Sequence, residues 1–189
     1  MEIEELYSSF YQTIIEEHRQ VFLRQDLKQL KEFIYLIKNY QKIFVMGVGR
    51  EGIAARSFAM RLMHLGKEVH WIWDDTTPGM GEKDLFIAVN GSGNIGHINF
   101  VLEQGKKAGT KIAVVTGSPS GQAGKIADFC FFVPASVYNG KDPVVESIQP
   151  MGNLFEQHLF MLFDIIVMIL EKELNISHDQ MASKHRNIE

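Results

Sequence analysis

The stretch Val89–His97, VNGSGNIGH, carries the residue types of an anion cradle. An apolar run, Leu85 to Val89, stops at Asn90, and Gly91, Ser92 and Gly93 follow at once. Glycines let a backbone approach a ligand closely. The amides of Gly93, Asn94 and Ile95 fall at the expected start of a helix. Free N–H groups and the helix dipole together suit a phosphate there. Ser92 adds a hydroxyl. A tight strand-to-helix turn that holds no ligand accounts for the same pattern.

Three other segments hold residues able to do chemistry. GVGREG, Gly47 to Gly52, matches G-x-G-x-x-G and brings Gly47, Gly49 and Arg50 to a turn. Asp74 and Asp75 follow the next apolar run, about where a dinucleotide-binding protein keeps its ribose carboxylate. Close packing of a helix on a sheet is the plainer explanation of those glycines. TGSPS, Thr116 to Ser120, offers the hydroxyls of Thr116 and Ser118 to a polar pocket, or is simply a turn. In PMGNLFEQH, Glu156 sits in the second turn of an otherwise apolar helix. There it is either a carboxylate favoured by the helix dipole or, as apolar surroundings strengthen a carboxylate as a base, a general base. His185, in the polar ending SKHRNIE, reads by itself as a solvated side chain.

Helices and strands must position these groups. The first forty residues have helical periodicity, with Leu6, Phe10 and Ile14, then Leu27, Leu30, Phe33, Ile34 and Ile37, and Asp26 as N-cap of the second segment. Strand-like runs follow at Lys42–Met46, Glu68–Trp73, Asp84–Val89, Lys111–Thr116 and Phe129–Val133. Helical patterns separate them at Gly52–Leu65, Ile95–Ala108 and Gln122–Ala127, and a long helix runs from Met151 to Leu174. From Ser177 the pattern allows a turn of helix and a tail. The alternation predicts an α/β fold, a five-stranded parallel sheet with helices on both faces in three αβα layers. Nearly continuous apolar strands agree with a sheet covered on both sides. Ligands of such sheets bind beyond the carboxyl ends of the strands, where all the candidate loops fall.

The chain has 189 residues, which reads as one domain: N-terminal helices 1–40, an α/β core 41–134, and a C-terminal helix and tail 150–189. A net charge of -4 argues against a nucleic-acid binder. The apolar stretch Leu154–Leu170 is interrupted by Glu156, His158 and Asp164, which argues against a membrane span. The acidic N-terminus lacks the apolar core of a secretory signal. Cys130, the one cysteine, excludes an internal disulfide; it reads as a buried thiol and fits a reducing, cytoplasmic setting.

The combination resembles the sugar isomerase (SIS) domain, and within it the 6-phospho-3-hexuloisomerase group. GVGREG, FAMRLMHLGKEVHW, TTPGMGEKDLFIAVNGSG, AVVTGSP, KIADFCFFVPA, PMGNLFE and KHRNIE carry the resemblance, which covers nearly the whole chain. It implies interconversion of D-arabino-hex-3-ulose 6-phosphate and fructose 6-phosphate with no metal, redox cofactor or dinucleotide. It also implies a homo-oligomer, dimer or tetramer, with sites near subunit interfaces and a phosphorylated sugar as ligand. The group's phosphate loop, Ser-x-Ser-Gly-x-Thr, places Ser92 on its second serine and Gly93 on its glycine. Its glutamate after Pro-x-Gly falls on Glu156, as the base that moves a proton through an enediolate. Its C-terminal histidine, often supplied by a neighbouring subunit, falls on His185, as a proton donor to the carbonyl oxygen or an aid to ring opening.

Three positions depart from that pattern: Asn90 replaces the first serine of the loop, Ile95 its threonine, and Glu51 the serine of Gly-Arg-Ser-Gly. Each lost hydrogen bond to a charged group is worth roughly 1.5–3 kcal/mol. A carboxylate about 5 Å from a phosphate charge costs on the order of 3 kcal/mol at an effective dielectric near 20. Glu51 is therefore expected to turn away, to pair with Arg50 or Arg56, or to face a ligand other than phosphate, while the Asn90 amide is expected to replace one lost donor. Beside an isomerase, the alternatives are a non-catalytic SIS module that senses a sugar or sugar phosphate, and a nucleotide-binding protein.

Overall fold

The computed structural model describes residues 2–188. Two N-terminal helices, α1 (Ile3–Arg24) and α2 (Leu27–Asn39), lead into the sheet. Asp26 caps α2 as expected, its Oδ1 accepting the Lys28 and Gln29 amides at 2.7 and 3.3 Å. The strands are β1 (Lys42–Met46), β2 (Glu68–Trp71), β3 (Leu85–Val89), β4 (Lys111–Thr116) and β5 (Phe129–Phe132). Between them lie α3 (Gly49–His64), α4 (Gly96–Lys107) and α5 (Gln122–Ile126). A 3-10 turn, Pro150–Gly152, opens α6 (Asn153–Glu173), and α7 (His178–Ala182), capped by Ser177, follows.

All strand pairs are parallel, in the order β2-β1-β3-β4-β5. The expected three-layer α/β architecture is therefore present. Successive strand residues face opposite sides of a sheet, and the core divides accordingly. Ile43, Val45, Leu85, Ile87, Val89, Ala113 and Val115 pack with side chains of α1, α2, α3 and α6. Phe44, Met46, Phe86, Ala88, Ile112 and Val114 pack with α4 and α5. Both sheet faces are buried, which explains why the strands read as unbroken apolar runs.

The boundaries differ in places. The second strand stops at Trp71 rather than Trp73, because Trp73 turns to φ +75°. The first strand's helix starts at Gly49 instead of Gly52, so all of the glycine loop but Gly47 and Val48 is helix. By length and composition alone α6 is apolar enough to cross a bilayer. Here it packs on the sheet, burying Leu154, Phe155, Leu159, Leu162, Phe163, Ile166 and Leu170. Cys130 is only half-buried, not fully buried as expected, and burial with the nearby Asp142 charge pushes its thiol up to about 11.

Candidate active site

In the order β2-β1-β3-β4-β5 the connection reverses between β1 and β3, and the carboxyl ends of those strands frame a crevice. A cleft of about 200 Å³ opens there. It is lined by Gly49, Arg50 and Glu51 after β1, by Gly91, Ser92 and Ile95 after β3, by Val137 and Tyr138, and by Met151, Phe155 and Glu156 at the start of α6.

Of the expected site residues, this cleft brings together Gly49, Arg50, Gly91, Ser92 and Glu156. Arg50 Nε donates to Glu156 Oε2 at 2.6 Å, tying the first turn of α3 to the first turns of α6. The Glu156 side chain keeps 19% of its surface exposed, enough to meet a ligand. A left-handed residue pair, Met151 at φ +59° and Gly152 at φ +80°, turns the chain sharply into α6 and so aims Glu156 at the cleft. Gly152 has no room for a side chain, since a Cβ would stand 2.6 Å from the Tyr138 amide.

The other expected residues lie behind the cleft wall and build the loop. Gly47 packs on Gly52: a Cβ on Gly47 would meet the Gly52 Cα at 2.9 Å, which is the close helix–sheet approach. Asn90 is fully buried. Its Nδ2 donates to Asn99 Oδ1 at 2.9 Å, and its Oδ1 accepts the Ile95 amide at 3.4 Å. The side-chain amide expected to replace a lost phosphate donor is therefore spent inside the loop. The amides expected to cradle the anion are spent as well. Gly93 N–H donates to Asn90 O at 3.0 Å and Asn94 N–H to Ser92 Oγ at 3.3 Å. Asn94 reaches away from the cleft, its Oδ1 accepting the Gln122 amide at 3.1 Å at the start of α5. Thr116 Oγ1 donates to Gly91 O at 3.0 Å and accepts the Ser118 amide at 3.0 Å. Ser118 Oγ donates to Asp142 Oδ2 at 2.6 Å. Among the described residues, the amides of Ser92, Gly96 and His97 have no protein acceptor and remain for a ligand, with the dipole of the twelve-residue α4 behind the last two.

Glu51 neither turns away from the cleft nor pairs with an arginine. It points inward, 8% exposed, and its Oε2 accepts the Gly91 amide at 2.8 Å. Its Oε1 is buried without a hydrogen-bond partner. Neither arginine pairs with it: Arg50 goes to Glu156, and Arg56 goes to Asp74 at 3.0 Å and stacks over the Trp71 ring. Burial, against the pull of the Gly91 hydrogen bond and aided by the Glu156 charge, pushes the Glu51 carboxyl up to about 8. The same Arg56 contact occupies Asp74, the carboxylate that a ribose would need.

His185 does not join Glu156 within one chain. It stacks on His64, with ring centroids 5.3 Å apart, in a second cleft with Arg61, Asp164, Glu171 and His178. Glu51 and His64 are separated by thirteen positions on α3, about 20 Å along the helix axis. The two clefts therefore occupy opposite ends of the α3/α6 pair.

The sequence reading missed the support of α6. Glu17 on α1 is buried and accepts from Ser147 Oγ at 2.7 Å, the Ile148 amide at 2.8 Å and Gln149 Nε2 at 2.9 Å. This clamp fixes the segment that leads into Pro150 and Glu156. Beside it, His18 Nδ1 lies 3.2 Å from His158 Nδ1; burial with the His18 contact pushes His158 down to about 3, so His158 is neutral, and burial lowers His18 as well. An acidic residue in register with Phe10, Ile14 and Val21 on the apolar stripe of α1 was the available signal for Glu17.

Residues 36–161 match the family model described as SIS domain. The chain is 34% identical over 155 residues to the 3-hexulose-6-phosphate isomerase of Bacillus subtilis, covering 82% of this chain and 83% of that protein. It is 30% identical over 161 residues to the protein of the same name from Methanocaldococcus jannaschii, covering 85% and 84%. A Methanococcus jannaschii crystal structure, described as inferring a molecular function of 3-hexulose-6-phosphate isomerase, superposes with a TM-score of 0.84 at 26% identity, covering 96% of this chain and 99% of that one. The chain belongs to the SIS domain family.

Proposed function

We propose that this SIS-domain protein is an isomerase that moves the carbonyl of a phosphorylated sugar between adjacent carbons, with 3-hexulose 6-phosphate and fructose 6-phosphate as the pair it interconverts. The observation that carries the reading is the placement of Glu156. Its carboxylate faces a cleft at the sheet's switch point, held by Arg50 and set across from Ser92 and the amino end of α4. The relatives named for this reaction support the substrate.

Isomerisation begins with removal of the proton alpha to the carbonyl. Glu156 takes that proton, the C–H electron pair becomes the C=C bond of an enediolate, and the carbonyl π pair moves onto oxygen. Glu156 then returns the proton to the former carbonyl carbon, while the neighbouring hydroxyl passes its proton to the former carbonyl oxygen and becomes the new carbonyl. A positioned base contributes about 10²–10⁴-fold to such a step. The Arg50 guanidinium, bonded to Oε2, holds the carboxylate in place between turnovers. The phosphate end rests on the Ser92 hydroxyl and on the free amides of Ser92, Gly96 and His97.

The site is completed by oligomerisation. Phe10, Tyr11 and Ile15 of α1, Ile53 and Met60 of α3, and Phe160 and Ile165 of α6 are exposed. Apolar surface on three helices of one layer is what a homo-oligomer covers. In that assembly His185 of the partner subunit reaches the Glu156 cleft and serves the carbonyl oxygen. The protein acts in the cytoplasm, where phosphorylated sugars are retained by their charge.

The test is NMR of the protein with 3-hexulose 6-phosphate, fructose 6-phosphate and a panel of other ketose and aldose phosphates. Conversion of the first pair is expected. Thermal stabilisation by one of these compounds without conversion of it would replace the isomerase with a sugar-phosphate sensor. A shift with NAD alone would favour a nucleotide site.

A further inference from the structure

Glu51 is a buried acid that the isomerisation scheme leaves unused. It lines the same cleft as Glu156, is 8% exposed, and has one carboxyl oxygen on the Gly91 amide and the other without any partner. The contact with the loop is close. A Cβ on Gly91 would stand 2.6 Å from Glu51 Oε2 and 3.1 Å from the Phe155 ring. The carboxyl is thus wedged between the turn that carries Ser92 and an aromatic wall, where water cannot solvate a charge.

The charges around it are few. On its own helix Arg50 is committed to Glu156 and Arg56 to Asp74. From α6 comes the Glu156 carboxylate. The turn after β3 brings no charge before His97. The segment before α6 brings the Tyr138 phenol to the cleft, and its Asp142 is taken up by Ser118 and Ser120. With Glu51 ionised the cleft holds two carboxylates and one guanidinium; with Glu51 neutral the charges balance. An incoming phosphate meets net negative charge only in the first case.

We propose that Glu51 is a specificity-determining residue that admits an anionic sugar only as the neutral carboxylic acid, so that the ligand enters together with one proton whenever the side chain starts ionised. In that form Oε2 still accepts the Gly91 amide, and the O–H at Oε1 is a donor for a sugar oxygen, which satisfies the orphaned atom. The carboxyl sitting near 8 in the unliganded chain places the transition within reach of ordinary buffers. The proposal rests on the cleft being a phosphosugar site and adds to that reading its dependence on protons.

The probe is glucitol 6-phosphate, one of the two polyols obtained by reducing the carbonyl of fructose 6-phosphate, which lacks a carbonyl and so cannot isomerise. Above pH 7.5 its phosphate is essentially a dianion, so its own titration drops out. Calorimetry at pH 8.5, in buffers of different ionisation enthalpy, is expected to show uptake of roughly half to one proton per site, and the dissociation constant is expected to rise about tenfold between pH 7 and 9. Glu51→Gln is expected to bind with no proton uptake and a flat profile from pH 7.5 to 9.5. Glu51→Ser, also neutral throughout, must behave alike, which guards against a folding defect in one variant. Equal proton uptake in wild type and both variants, or a flat wild-type profile, would overturn the proposal and leave the phosphosugar site standing. Absence of binding by all three proteins at every pH would overturn the reading of the cleft itself.

Discussion

Replacing Glu51 by glutamine isolates the cost of burying this acid. A carboxyl held near 8 in the folded protein, against an ordinary value of 4.5, binds its proton more tightly folded than unfolded. Below pH 4.5 both states are protonated and the residue is neutral in its effect. From there to pH 8 the unfolded chain has lost the proton and the folded one has not, so stability falls as pH rises, by about 1.4 kcal/mol per unit. The loss reaches about 3 kcal/mol at pH 7 and about 5 kcal/mol at pH 8, then levels off, because both states are ionised. Glutamine keeps an acceptor for the Gly91 amide and carries no such penalty. Urea unfolding followed by the fluorescence of Trp71 and Trp73 is therefore expected to give a Glu51→Gln protein that matches wild type near pH 4.5 and exceeds it by a widening margin up to pH 8. Pairs of curves that run parallel through this window would refute the reasoning, since they would mean that the carboxyl is ionised and satisfied in the fold.

Two further outcomes follow from the geometry. Glu17→Ala removes three part-buried hydrogen bonds to the 147–149 segment; a loss of about 2–4 kcal/mol in urea unfolding is expected, with a fall in kcat, and unchanged stability would contradict the clamp. If the site joins Glu156 of one subunit to His185 of another, inactive Glu156→Gln and His185→Ala proteins refolded together should recover about a quarter of wild-type activity in a two-fold dimer, whereas no recovery would place the histidine outside the reaction.

Much of this molecule is legible from the chain alone, and the parts that are not share a cause. The five strands could be read because both faces of the sheet are covered, so each strand is a short apolar run between turn residues. Asp26 could be read as a cap because its partners are its immediate neighbours. Glu156 stood out as a carboxylate in an apolar helix. Asn90, by contrast, was expected to serve a ligand and instead serves Asn99 and Ile95. The contact of Glu51 with Gly91 spans forty positions and depends on β1 and β3 lying side by side, which no local pattern encodes. Glu17 meets its partners across about 130 positions, and although its register on the α1 stripe marked it as inward-facing, nothing nearby named its partner. His185 is the opposite case: its surroundings in one chain are those of a distant cleft, and its proposed role depends on a second copy.

The central claim, that Glu156 abstracts the proton next to the sugar carbonyl, is tested most directly by incubating fructose 6-phosphate with the protein in deuterated water and following the carbinol hydrogens by NMR. Wild type is expected to place solvent deuterium on the carbon beside the carbonyl. Glu156→Gln, folded and still able to bind glucitol 6-phosphate, is expected to exchange at least about 100-fold more slowly. Equal rates of deuterium incorporation in the two proteins would assign the base to another residue and contradict the account.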